Sequence, residues 1–134
     1  MKIIILIISC VVLSACTPFQ KESWYSISGG YKNAQVIGKL TKIIFYGNGF
    51  TSDRRVDEYV LLRAAQIGLK RKMRYFSLYQ SVNDAYANIK SAVPAIVPNL
   101  EKPVATAYIL YCNNHQPGDF NVRKIYNRLS KKYL

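Results

Sequence analysis

Leu40 to Tyr46 reads Leu-Thr-Lys-Ile-Ile-Phe-Tyr and stops at Gly47-Asn48-Gly49. A run of β-branched and aromatic residues of this length, closed by glycines, forms a strand. Directly after it, Val56, Val60, Ala64 and Ile67 recur at helical spacing, widened by Tyr59, Leu61 and Ala65. Thr51 or Ser52 can cap that helix, and Asp53 suits its positive end. Lys70, Arg71, Lys72 and Arg74 mark its last turn, where the helix dipole favours cations. A strand feeding straight into an amphipathic helix needs a sheet on which to lay the apolar stripe, so the pair demands a layered fold.

The rest of the chain supplies that sheet. Tyr75 to Val82 reads as a second strand, with Phe76, Leu78 and Val82 facing one way and Ser77, Tyr79 and Ser81 the other. Asp84 to Ser91 suits a short helix, and Pro94, Pro98 and Pro103 argue against regular structure after it. Val104 to Cys112 is a third strand. Gln116-Pro117-Gly118 makes a turn, Asp119 is the expected N-cap, and a last helix carries Val122, Ile125, Leu129 and Tyr133 on one face. The order strand-helix-strand-strand-helix predicts an α+β fold, with a small sheet of three or more strands and two helices on one face. Val56, Val60, Ile67, Phe76, Leu78, Ile109, Ile125 and Leu129 are the expected core.

The start of the chain is of another kind. Met1-Lys2 is followed by a nearly unbroken apolar run from Ile3 to Leu13. It is too short for the roughly 20 residues of a membrane-spanning helix and fits a secretion signal. Leu13-Ser14-Ala15-Cys16 then resembles the bacterial lipobox. That resemblance implies a thioether-linked diacylglyceryl group on Cys16, cleavage just before it and acylation of the new amine. Two or three acyl chains suffice for stable attachment. Thr17 in place of Asp implies sorting to the outer membrane, facing the periplasm. The expected divisions are a signal over 1–15, the lipidated Cys and a tether over 16–38, and a domain over 39–134. Ala34 to Ile37 can dock on the domain.

Leaving the signal behind removes Cys10, and lipid uses Cys16, so Cys112 is the one free thiol and no intramolecular disulfide can form. The expected role of Cys112 is a small buried strand residue. All seven acidic residues and all but one of the nineteen Lys and Arg stay in the mature chain. Such an excess attracts anionic surroundings. The plain explanation is solubility plus the preference of cations for helix C-termini. The sharper one is contact with anionic lipid, lipopolysaccharide phosphates or peptidoglycan carboxylates, through Lys70, Arg71, Lys72, Arg74, Lys131 and Lys132, joined by Arg123, Lys124 and Arg128.

Thr17-Pro18-Phe19-Gln20, Gly29-Gly30-Tyr31, Ile44-Phe45-Tyr46-Gly47-Asn48 with Thr51-Ser52, and Leu61-Leu62-Arg63-Ala64-Ala65 occur in that order. Together they resemble a family of small, largely uncharacterised proteobacterial envelope lipoproteins. The family carries Glu where this chain has Gln66. The resemblance implies an envelope lipoprotein, with no known catalysis and no cofactor.

Catalytic and metal patterns are sparse. His115 sits alone in an expected turn, without partners at metal-ligand spacing. Asp57 and Glu58 are neighbours on a helix and point apart, so they form no acid/base pair and suit a solvated face paired with Arg. Arg63 lies among Leu61, Leu62, Ala64 and Ala65, either with its stem packed and head in water or as a buried polar hub. Ile44 to Gly49 resembles the short strand motif of RNA-recognition domains, but the longer aromatic motif is absent and a secretion signal removes the chain from cellular RNA. The expectation is a non-enzymatic binding or accessory role at the membrane surface, without nucleic acid. A periplasm-facing hydrolase is the alternative.

Overall fold

A computed structural model describes residues 30–31, 35–47, 52–99 and 102–134. The apolar leader, Cys16, most of the tether and Thr51 lie outside the described residues. The order is β1 (Gly30–Tyr31), β2 (Gln35–Ile37), β3 (Leu40–Tyr46), α1 (Asp53–Lys70), β4 (Tyr75–Tyr79), α2 (Val82–Tyr86), β5 (Ala95–Asn99), β6 (Lys102–Cys112), β7 (Phe120–Asn121) and α3 (Val122–Tyr133). The class is α+β, as the pattern implies.

β6 is the spine of one antiparallel sheet. One edge pairs with β3, from Thr41 opposite Ile109 to Tyr46 opposite Val104. The other edge pairs with β5 near the start of β6 and with β4 near its end. β7 extends β4, while β1 and β2 lie end to end on the outer edge of β3. The alternation expected of a sheet covered on one face is plain in β3, where Thr41, Ile43 and Phe45 are buried and Lys42, Ile44 and Tyr46 are half-buried opposite them.

α1 and α3 cover the Ile43–Phe45 face. Every expected core residue is buried there, and Phe45, Leu62, Ala105 and Ala107 join them. α1 is buried on more than one side because the sheet lies beneath it and α3 beside it. α3 is strictly amphipathic: Val122, Ile125 and Leu129 are buried, and Arg123, Lys124, Asn127, Arg128, Lys131 and Lys132 are exposed. Burying each of those three side chains contributes roughly 1.5–3 kcal/mol. The helices run antiparallel. Gly68 near the end of α1 lies against Val122 at the start of α3, and Glu58 near the start of α1 accepts from Lys132 at the end of α3 at 2.9 Å.

Four details depart from the sequence expectations. The sheet reaches further back into the expected tether than the docking of Ala34 to Ile37: β2 pairs with β3 there, and β1 pairs with β3 as well; Gly38, at φ +60°, opens the two-residue turn between β2 and β3. The second strand ends at Tyr79, because Ser81 leaves it to cap α2, its hydroxyl accepting from the Asp84 amide at 3.0 Å. The prolines do not prevent strands. Pro98 stands opposite Pro103, which suits the ladder pairs that exchange no hydrogen bonds; β5 is an edge, and Pro103 lies just past the last β6 residue paired with β3. The N-cap of α3 is Asn121, whose side chain accepts from the Lys124 amide at 3.0 Å, and Asp119 has another task.

Helices and sheet approach closely at Gly68. A Cβ there would stand 2.9 Å from Val122 Cγ2 and 3.0 Å from Tyr111 Cε1. Val122 is β-branched and stiff, so it yields little. Gly68→Ala is therefore expected to destabilise by about 1 kcal/mol, the strain of overpacking exceeding the gain in helix propensity. The Gly68→Ala/Val122→Ala pair should lose less than the sum of the two single changes in urea unfolding. Strict additivity would place the close approach elsewhere.

Candidate functional site

Two polar features stand out. The first is the cluster around Asp119. The turn Gln116–Asp119, with Pro117 second and Gly118 third at φ +85°, brings the Asp119 carboxylate under the sheet edge. Its Oδ1 accepts from Ser77 Oγ at 2.5 Å and Lys90 Nζ at 2.8 Å, and its Oδ2 accepts from the Gln116 amide at 2.9 Å and Cys112 Sγ at 3.5 Å. The carboxylate has no exposed surface. Burial alone would push its pKa up, but the hydrogen bonds from Lys90, Ser77, Gln116 and Cys112 outweigh this and hold it at about 2. Lys90 also donates to the Pro117 carbonyl at 2.9 Å, and Tyr79 Oη donates to Asn88 Oδ1 at 2.8 Å. The arm of residues 80–94 is thereby laid over the second face of β4, so Ser77 and Tyr79 are buried on the side opposite Phe76 and Leu78.

This cluster is poorly suited to catalysis. A carboxylate that already accepts four hydrogen bonds has little capacity to take a proton from Ser77. Burial, then the Asp119 charge, push the Cys112 thiol up, which disfavours the thiolate. The expected small strand cysteine is half-buried and donates to Asp119.

The second feature is cationic. The antiparallel helix pair brings the last turn of α1 and the first turn of α3 to one pole of the molecule. Lys70, Arg71, Lys72, Arg74, Arg123, Lys124 and Arg128 are all exposed there. Lys72, Arg74 and Arg123 line one hollow of about 430 Å³, and Tyr75, His115, Lys124 and Arg128 line a second of about 610 Å³. Asn121 borders both. The Arg74 guanidinium lies over the Tyr75 ring at 5.7 Å, and His115 meets that ring edge-on at 5.2 Å. Asp119 also lines the second hollow, but its carboxylate is enclosed and already bonded to Lys90.

Two costs mark the pole. The dipole explains cations at the end of α1, but Arg123 and Lys124 lie in the first turn of α3, where it opposes them, and no acidic residue accompanies them. Lys72 is held at φ +59° in the link that closes α1, with the Met73 amide donating to Gly68 O at 2.9 Å and the Lys72 amide to Leu69 O at 3.1 Å. Glycine is the usual residue at such a position, and a left-handed L-residue costs roughly 1–2 kcal/mol. Solubility and helix-end preference leave both placements unexplained.

The expected cationic face is therefore divided. Lys131 and Lys132 lie at the other end of α3, ten residues and about 15 Å from Val122. Lys132 is paired with Glu58, which also meets Arg54 at 3.4 Å and raises the Lys132 pKa. Arg71 is at the pole but engaged, donating from Nη1 to the buried Thr41 hydroxyl at 2.7 Å and lying 5.5 Å from the Tyr111 ring. Tyr111 in turn donates to Ala64 O at 2.6 Å. Arg63 is half-buried and donates to Gln66 Oε1 at 3.4 Å. Residue types alone give no sign of the Tyr75–His115 pairing or of Asp119 as a hub, since each depends on register. Among the described residues no group of three His, Cys, Asp or Glu side chains could hold a metal ion. No protein-family model, no curated protein and no solved structure matches this chain.

The Asp119 cluster has a pH signature. Its folded pKa lies below the roughly 3.9 of an unfolded Asp, so its contribution is fully present above that value and is lost as pH falls toward about 2. Urea midpoints measured between pH 6 and pH 2, at about one-unit steps, should fall more steeply with acid in the native chain than in Asp119→Asn. Equal slopes would remove Asp119 from that role.

Proposed function

We propose that this chain is a bacterial envelope lipoprotein, held by acyl chains on Cys16, whose domain binds anionic envelope material through its cationic pole without catalysing a reaction. The observation that carries the reading is the gathering at one pole of cations that have no ion-pair partner among the described residues, two of them, Arg123 and Lys124, against the helix dipole of α3. Charge kept where local energetics oppose it is charge with a use. Each Lys or Arg near an anionic bilayer contributes roughly 1 kcal/mol, so a few suffice to hold a domain already tethered nearby. Salt at physiological strength screens beyond about 8 Å, so the contact is short-range and orienting. The lipobox and the likeness to proteobacterial envelope lipoproteins support the same address, in the outer membrane facing the periplasm.

The test has two arms. Cell fractionation of Cys16→Ser should give a protein without lipid that keeps its leader uncleaved at the lipobox; membrane retention at the mature size would refute the anchor. In the second arm, the mature chain without lipid is co-sedimented with anionic and neutral vesicles. Lys72→Glu/Arg123→Glu/Lys124→Glu should lose most binding to anionic vesicles, while Lys131→Glu changes it little. Arg71 is left intact because of its bond to Thr41. Equal losses in the two variants would show the charge acting without the pole.

A further inference from the structure

We propose that the hollow bounded by Tyr75, His115, Lys124 and Arg128 is a binding site for a phosphomonoester group. The proposal deepens the anionic-surface reading and rests on it for its biological setting. The hollow draws on three parts of the fold. β4 supplies Tyr75, the loop after β6 supplies His115, and successive turns of α3 supply Lys124 and Arg128. Residues four apart on a helix lie on one face, so the ammonium and the guanidinium flank the same opening. Neither has an ion-pair partner among the described residues.

The donor set fits the ligand. A phosphomonoester offers three terminal oxygens and up to two charges. Lys124 supplies a point charge, Arg128 a planar fork suited to two oxygens, and His115 a ring N–H. Carboxylates and phosphodiesters offer two free oxygens and one charge, and leave one of these donors unmatched. Arg74, over the Tyr75 ring, adds charge at the rim. Asp119 also lines the hollow and its charge would repel an anion, but its carboxylate has no exposed surface and is compensated by Lys90 and three further donors. The α3 N-terminus is not the binding element, since the Asn121 side chain already caps it.

His115 is the only histidine in the chain, so its ring protons form an unambiguous NMR reporter. The mature chain without lipid is titrated at constant pH with glycerol 3-phosphate, inorganic phosphate and dimethyl phosphate. Saturable shifts of the His115 ring protons with the first two, and little change with the diester, are expected. Lys124→Gln or Arg128→Gln should each weaken the response about tenfold, the usual effect of losing one charge-assisted hydrogen bond, and Lys131→Gln should leave it unchanged. A silent His115, an equal response to the diester, or an unaltered response in Arg128→Gln would overturn the site. Vesicles carrying phosphatidate or phosphatidylglycerol at matched surface charge separate the sources. Preference for phosphatidate assigns a lipid headgroup, and response to the free ester alone assigns a soluble phosphate. Vesicle binding retained with a silent His115 would refute this site while sparing the anionic-surface reading. Ester binding without vesicle binding would do the reverse.

Discussion

The close approach of α1 and α3 at Gly68 sets the arrangement of everything above the sheet. A residue without a side chain lets the last turns of α1 settle against Val122 and Tyr111 without displacing either side chain. The contact joins the end of α1 to the start of α3 in an antiparallel pair, and that sense decides which charges meet. A basic helix end and a basic helix start are brought side by side, while Glu58 meets Lys132 at the opposite pole. Packing thus sorts a scattered excess of positive charge into a cationic pole and a nearly balanced one.

The two faces of the sheet divide the labour. The helix face holds the apolar core and carries the pole. The other face is half-covered by the 80–94 arm, fastened by Lys90 to Asp119 and by Tyr79 to Asn88. The same Asp119 closes the turn that places His115 beside Tyr75, so one buried carboxylate braces both the arm and the rim of the cationic hollow. The described chain enters the sheet at the far end, where Gly30 pairs with Tyr46. Fully extended, the stretch from Cys16 to Gly30 spans at most about 50 Å. That exceeds the roughly 37 Å length of β6, so with the proposed anchor on Cys16 the pole would be within reach of the bilayer.

Much of this fold is legible in the sequence because local pattern and tertiary role agree. The alternation in Leu40–Tyr46, the spacing of Val56, Val60 and Ile67, and the stripe of Val122, Ile125 and Leu129 each specify one buried face. Residues whose role depends on a distant partner are harder to read. Pro98 and Pro103 look like strand breakers until register sets them opposite each other. Asp119 precedes a helix and resembles a cap, yet a lysine from the arm and a serine from β4 claim it. Gly68 looks like an ordinary weak point in a helix. The basic clusters are visible at once, but the sense of helix packing decides that Arg123 and Lys124 join Lys72 while Lys131 and Lys132 do not.

The central claim is that the molecule meets anionic surfaces by this pole. An environment-sensitive fluorophore can be placed on a single introduced cysteine in the mature chain without lipid, with Cys112 replaced by Ala. One site is Asn114, exposed in the loop beside the pole, and the other is Leu134, exposed at the opposite end of α3. On adding anionic vesicles at low salt, the emission of the label at 114 should shift to the blue and that at 134 should stay unchanged. Equal shifts at both positions, or a shift at 134 alone, would contradict the account.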